Sequence, residues 1–137
     1  MHRIILVLAG TVALCSTDLV ADSDSAAAPE PIVTSLMTQA LPDLPGKEAE
    51  MLLVEYPPGG VDPVHRHDAD AFVYVLGGSI VMGVAGSEPV TLSAGQTFRE
   101  GPRDVHTIGR NASQEKPARF LAVLVKDQGK PALTPVD

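Results

Sequence analysis

The chain reads as an all-β protein, a sandwich or a small barrel, on three observations. Pro and Gly break the apolar runs at short intervals. No long stretch carries the 3.6-residue period of an amphipathic helix. Gly77-Gly78 stands between two apolar runs, as a tight hairpin turn with φ > 0 at both central positions requires.

The elements follow from that punctuation. A first strand over residues 32–38 begins after Pro31, and a second over 50–56 ends at Pro57-Pro58-Gly59-Gly60. The apolar run 72–76 leads into the glycine pair, and 79–84 leaves it and stops at Ala85-Gly86-Ser87-Glu88-Pro89. Short strands over 90–92 and 97–99 flank the turn Ser93-Ala94-Gly95. Residues 105–108 follow the break at Gly101-Pro102, and 119–126 closes the series after Pro117. Eight short strands with turns between them suit either architecture.

Residues 1–21 read as a secretory signal. Arg3 precedes an uncharged apolar run over 4–14 that is too short to span a bilayer, and a cut after Ala21 suits a small-residue rule. Residues 22–31, rich in Ala, Ser, Asp and Pro, read as a disordered tether, and 32–137 as a single domain. The expected location is periplasmic or secreted. Cys15 is the only cysteine, so the mature chain has neither a disulfide nor a thiolate ligand. The formal net charge of −7, with Lys and Arg scattered, argues against nucleic-acid and anionic-membrane partners.

The chain has four histidines, one of them, His2, inside the signal. The other three are His65 and His67, spaced His-x-His, and His106. On extended chain, His65 and His67 point to the same face and Arg66 to the other. With His106 arriving from another strand, three neutral nitrogens can converge on one ion. Imidazole donors suit Fe²⁺, Mn²⁺, Ni²⁺, Cu²⁺ or Zn²⁺ better than Mg²⁺ or Ca²⁺. No twin-arginine pair precedes the apolar run, so the chain is expected to load metal after export, where affinity order favours Cu²⁺ or Zn²⁺.

From about Pro57 to Val125 the sequence resembles the cupins. Gly60, His65, His67 and Gly77 or Gly78 follow the family's first motif; Gly95, Pro102, His106 and Asn111 follow its second. The resemblance implies a small antiparallel barrel of the jelly-roll kind, with the motifs facing its interior. It also implies a metal-dependent chemistry such as that of the dioxygenases, or a non-catalytic module holding a metal or small ligand. A homodimer is expected, with residues 32–38 reaching a partner.

Two departures shape the site. The family's glutamate ligand would stand at position 71, which is Ala71; Asp70, one residue earlier, should face away. The expected centre is therefore three histidines without a carboxylate, as in some cupin dioxygenases. The second motif differs by one residue in the spacing around Pro102 and His106, so Asn111 is not carried over as a functional residue. Glu100 stands as a candidate general acid or base. Arg66, Arg99, Arg103 and Arg110 flank the site, Asp68 and Asp70 are loop carboxylates, and Tyr56, Phe72, Tyr74, Phe98 and Phe120 are packing residues.

Overall fold

The structure, a computed structural model, describes residues 26–137. The signal assigned to 1–21 and the start of the tether lie outside the described residues. Ten strands follow in order: β1 (Ile32–Ala40), β2 (Lys47–Tyr56), β3 (His65–Arg66), β4 (Asp70–Gly77), β5 (Ser79–Val84), β6 (Val90–Ser93), β7 (Thr97–Glu100), β8 (His106–Asn111), β9 (Ala118–Asp127) and β10 (Thr134–Pro135). They form two five-stranded antiparallel sheets, ordered β1-β2-β9-β4-β7 and β10-β3-β8-β5-β6.

After β2 the chain crosses repeatedly from one sheet to the other, so apart from β1–β2 and β5–β6 the neighbours in each sheet are not consecutive in sequence. This is the jelly-roll arrangement that the resemblance implies. The sheets are hydrogen-bonded separately, making two facing layers and not one continuous ring. All eight strands expected from the sequence are present. The added β3 and β10 have two residues each, too short to carry a period, and they pair with one another.

Period two decides which side chains meet between the layers. Leu52, Val54 and Tyr56 of β2, Val73 and Val75 of β4, and Phe120 and Leu124 of β9 are buried against Ile80, Met82 and Leu92 of the second sheet. Burial of one such large side chain stabilises by roughly 1.5–3 kcal/mol. Tyr56 and Phe120 meet edge to face at 5.2 Å. Phe72 and Tyr74, on the opposite face of β4, remain about half exposed.

The topology corrects the hairpin expected at Gly77-Gly78. β4 lies beside β9 and β7, whereas β5 lies beside β8 and β6 in the other sheet. The glycines form the corner where the chain changes sheets. Of the pair, only Gly78 has a positive φ, 72°. A Cβ there would lie 2.7 Å from both Ala118 Cα and the Pro117 carbonyl oxygen, so a larger residue would push the corner off the start of β9. Residues 85–89, by contrast, do connect a hairpin, β5 with β6. Among the described residues no helix is long and apolar enough to cross a membrane.

Candidate metal centre

His65 of β3 lies directly across from His106 of β8, and both are buried. His67 follows β3 and turns its ring the same way, as the His-x-His spacing predicts. His65 Nε2 is 3.2 Å from His67 Nε2 and 3.3 Å from His106 Nδ1. Two backbone carbonyls orient the first pair: His65 Nδ1 lies 2.8 Å from the Pro63 oxygen and His67 Nδ1 2.6 Å from the Ala132 oxygen. A carbonyl only accepts, so both Nδ1 atoms carry the proton and both Nε2 atoms turn a lone pair inward.

The structure adds a carboxylate to the three histidines. Glu100, buried at the end of β7, places Oε1 3.5 Å from His106 Nδ1 and Oε2 3.6 Å from His67 Nε2. Together the four residues offer ligand atoms that all lie within 4.8 Å of one another. Glu100 pairs across the sheet with Ala71, the position where the family's glutamate was expected. The carboxylate thus arrives from the neighbouring strand, over an alanine that leaves it room. The expectation of an all-neutral centre omits it. Its signal was parity: Phe98 turns toward the core, and period two puts Glu100 on the same side.

The electrostatics suit a cation. Burial, reinforced by His65 and His67, pushes His106 down to about 4. Burial also lowers His67, with His65 adding to it against the Ala132 carbonyl and Asp68. Burial raises Glu100 to about 7, and Asp62 and Asp104 add to that. Glu100 Oε2 and His106 Nε2 are buried with no hydrogen-bond partner among the described residues. A buried carboxylate oxygen left unpaired is costly, and a positive ion among these donors removes that cost. Ligand atoms about 2.1 Å from an ion stand roughly 3.0–3.4 Å apart, close to the spacings here. The residues therefore fit a divalent metal.

The donors line a cavity of about 70 Å³ whose other walls are mostly apolar, among them Leu52, Val54, Val73, Met82 and Phe120. Among the described residues no arginine or lysine lines it. Arg99 binds Asp70 at 2.5 Å on the outer side, and Arg66 binds Asp68 at 3.0 Å. Asp70 therefore faces away, as expected from its parity.

Asn111 is explained by a bulge. His106 pairs with Val84 and Ile108 with Gly83, so β8 has one residue more than β5 at this step. The extra residue lets His106 and Asn111, five apart, both turn inward. Asn111 is a structural latch: its amide nitrogen lies 2.7 Å from the Lys116 carbonyl oxygen and 3.0 Å from that of Pro57, and its side-chain oxygen accepts from the Ser113 N–H at 2.9 Å.

Residues 52–124, more than half of the chain, match the cupin domain family. The chain belongs to the cupin family. No curated protein sequence matches it. Among solved structures, this cupin is similar to an uncharacterized conserved protein with a double-stranded β-helix domain from Klebsiella pneumoniae, with 20% identity, a TM-score of 0.61, and coverage of 78% of this chain and 86% of that one. It is similar to oxalate oxidase in complex with the substrate analogue glycolate, with 24% identity, a TM-score of 0.60, and coverage of 93% and 66%. The DMSP lyase DddQ of Ruegeria pomeroyi shares 20% identity at a TM-score of 0.56, over 64% of this chain but only 43% of that one. At these identities the likeness establishes the cupin fold.

Proposed function

We propose that this cupin is an exported, metal-dependent oxidoreductase of the dioxygenase kind, with one divalent transition ion held by His65, His67, His106 and Glu100. The observation that carries this reading is the convergence of four donors within 4.8 Å beside a cavity of about 70 Å³. A transition ion there supplies Lewis-acid polarisation of a bound substrate and one-electron chemistry toward dioxygen. The protein contributes the rest. The carbonyls of Pro63 and Ala132 hold His65 and His67 in the ligating tautomer. The apolar wall limits water and strengthens electrostatics at the donors. The cavity admits a molecule of few heavy atoms, and the glycolate complex of oxalate oxidase suggests a small carboxylate as the ligand class. One anionic donor among four makes Mn²⁺ and Fe²⁺ better candidates than a centre of three imidazoles would.

Export rests on the leader read in the sequence. A homodimer is supported by β1, an edge strand exposed along its whole length with Ile32, Val33, Leu36 and Met37 open to solvent. The test is metal content per chain after purification and anaerobic reloading, followed by oxygen uptake with small carboxylates, thiols and diols. One equivalent of ion and substrate-dependent oxygen uptake are expected. A chain that binds no ion overturns the reading. A loaded chain that binds ligands without consuming oxygen supports instead the non-catalytic binding module.

A further inference from the structure

Besides the four donors, one polar side chain among the described residues lines the cavity: Asp62. It is held on both sides. Its backbone N–H donates to the Gly109 carbonyl at 2.8 Å, and the hydroxyl of the fully buried Tyr56 donates to its Oδ2. No described residue donates a hydrogen bond to the other oxygen, Oδ1. The packing around it is close. A Cβ at Gly109 would lie 2.7 Å from Asp62 Oδ2, 2.9 Å from His106 Cε1 and 3.0 Å from the Tyr56 hydroxyl. A bare Cα there lets the carboxylate, the hydroxyl and the imidazole share one spot beside the centre.

We propose that Asp62, positioned by Tyr56, selects the ligand of this cavity: a small monoanion that binds the ion through one group and offers Asp62 a hydroxyl or amine hydrogen. This rests on the metal reading and narrows it. An acceptor fixed by a buried donor keeps its free oxygen for the ligand. A second carboxylate would meet Asp62 with no lysine or arginine in the cavity wall to balance it, so dicarboxylates are rejected. Tyr56 is a positioning residue, acting through Asp62 alone.

Binding to the full-length, Mn²⁺-loaded protein tests this, read by calorimetry with three ligands of similar size: lactate, propionate and malonate. Lactate is expected to bind about tenfold tighter than propionate, one charged hydrogen bond being the difference, and malonate more weakly than both. Asp62→Asn keeps the shape and turns the free position into a donor, so the preference for lactate should collapse and malonate should gain. Tyr56→Phe should reduce the lactate preference while metal affinity stays within about threefold. Chelation by the ion alone would leave the lactate preference intact in Asp62→Asn and so overturn the proposal. A protein that loads metal but takes lactate and malonate alike overturns the proposal alone. A protein that takes no metal overturns the underlying reading and the proposal with it.

Discussion

Two groups of buried and partly buried ionisable side chains face the interior of this cupin, and they are completed differently. In one, Lys126 reaches Glu48 at 2.5 Å, Glu50 at 3.3 Å and the Lys130 carbonyl oxygen at 2.6 Å. Burial lowers the Lys126 pKa, but its hydrogen bonds to Glu48 and Glu50 outweigh that and raise it, while the bond to Lys126 lowers Glu48. The chain supplies its own cation there. In the other, His65, His67, His106 and Glu100 turn donors toward one another, His106 is depressed and Glu100 raised, and the buried Glu100 Oε2 has no partner among the described residues. The first cluster is a finished structural feature, and the second is arranged so that it could hold a cation from outside. Both sit on inward parity, so burial alone would not separate them; the balance of charge does.

The largest effect should come from breaking the finished cluster. Lys126→Met leaves the partly buried Glu48 and Glu50 without their cation and should lower the midpoint of urea unfolding, with metal content per folded chain unchanged. Loss of metal in that variant would mean that the two clusters are one.

The second prediction moves the carboxylate between paired strands. Ala71→Glu alone places a second carboxylate against Glu100 in a buried spot and should destabilise the metal-free chain. Combined with Glu100→Ala it should recover at least about tenfold of the metal affinity lost by Glu100→Ala alone, as measured by competition with a chelator. No recovery would show that Glu100 acts by more than delivering an oxygen.

Third is the pH dependence. In the metal-free chain Glu100 stands at about 7 against 4.5, so its stabilising contribution is present at low pH and lost as pH rises through 7. His106, at about 4 against 6.5, contributes stability above 6.5 that is lost as pH falls toward 4. Between 4.5 and 6.5 the two slopes oppose one another. A bound cation must displace the Glu100 proton, so apparent metal affinity should fall about tenfold per pH unit below 7 on this account. Titrations at several pH values in native and Glu100→Ala protein check this, because the variant should lack that contribution to the slope.

The smallest effect is expected at the exposed carboxylate. Asp70→Asn removes a surface pair with Arg99 and should shift stability by less than about 1 kcal/mol, with metal affinity untouched.

Much of the fold was legible because period two is written into β4, the second half of β2 and β9 up to Leu124, where every second residue is apolar and buried. The histidines were legible because the described chain holds only three, two of them on one parity. Three features were not. The corner at Gly77-Gly78 looks like a hairpin in any local reading, because which sheet the next strand joins is decided by distant β9 and β8. The bulge in β8 breaks parity, so counting from His106 puts Asn111 on the wrong face. Glu100 reads from the sequence only as an acid or base, because its place opposite Ala71 depends on β4 and β7 pairing, a contact no spacing encodes.

Metal titration of four chains, native, His106→Ala, Glu100→Ala and Asp70→Asn, decides whether Glu100 completes the three-histidine centre. One ion per native chain is expected, with affinity lower by about a hundredfold or more in both alanine variants and native affinity in Asp70→Asn. If Glu100→Ala binds metal like the native chain, or Asp70→Asn loses it as badly as His106→Ala, then the carboxylate of this centre does not come from β7 and the account is wrong.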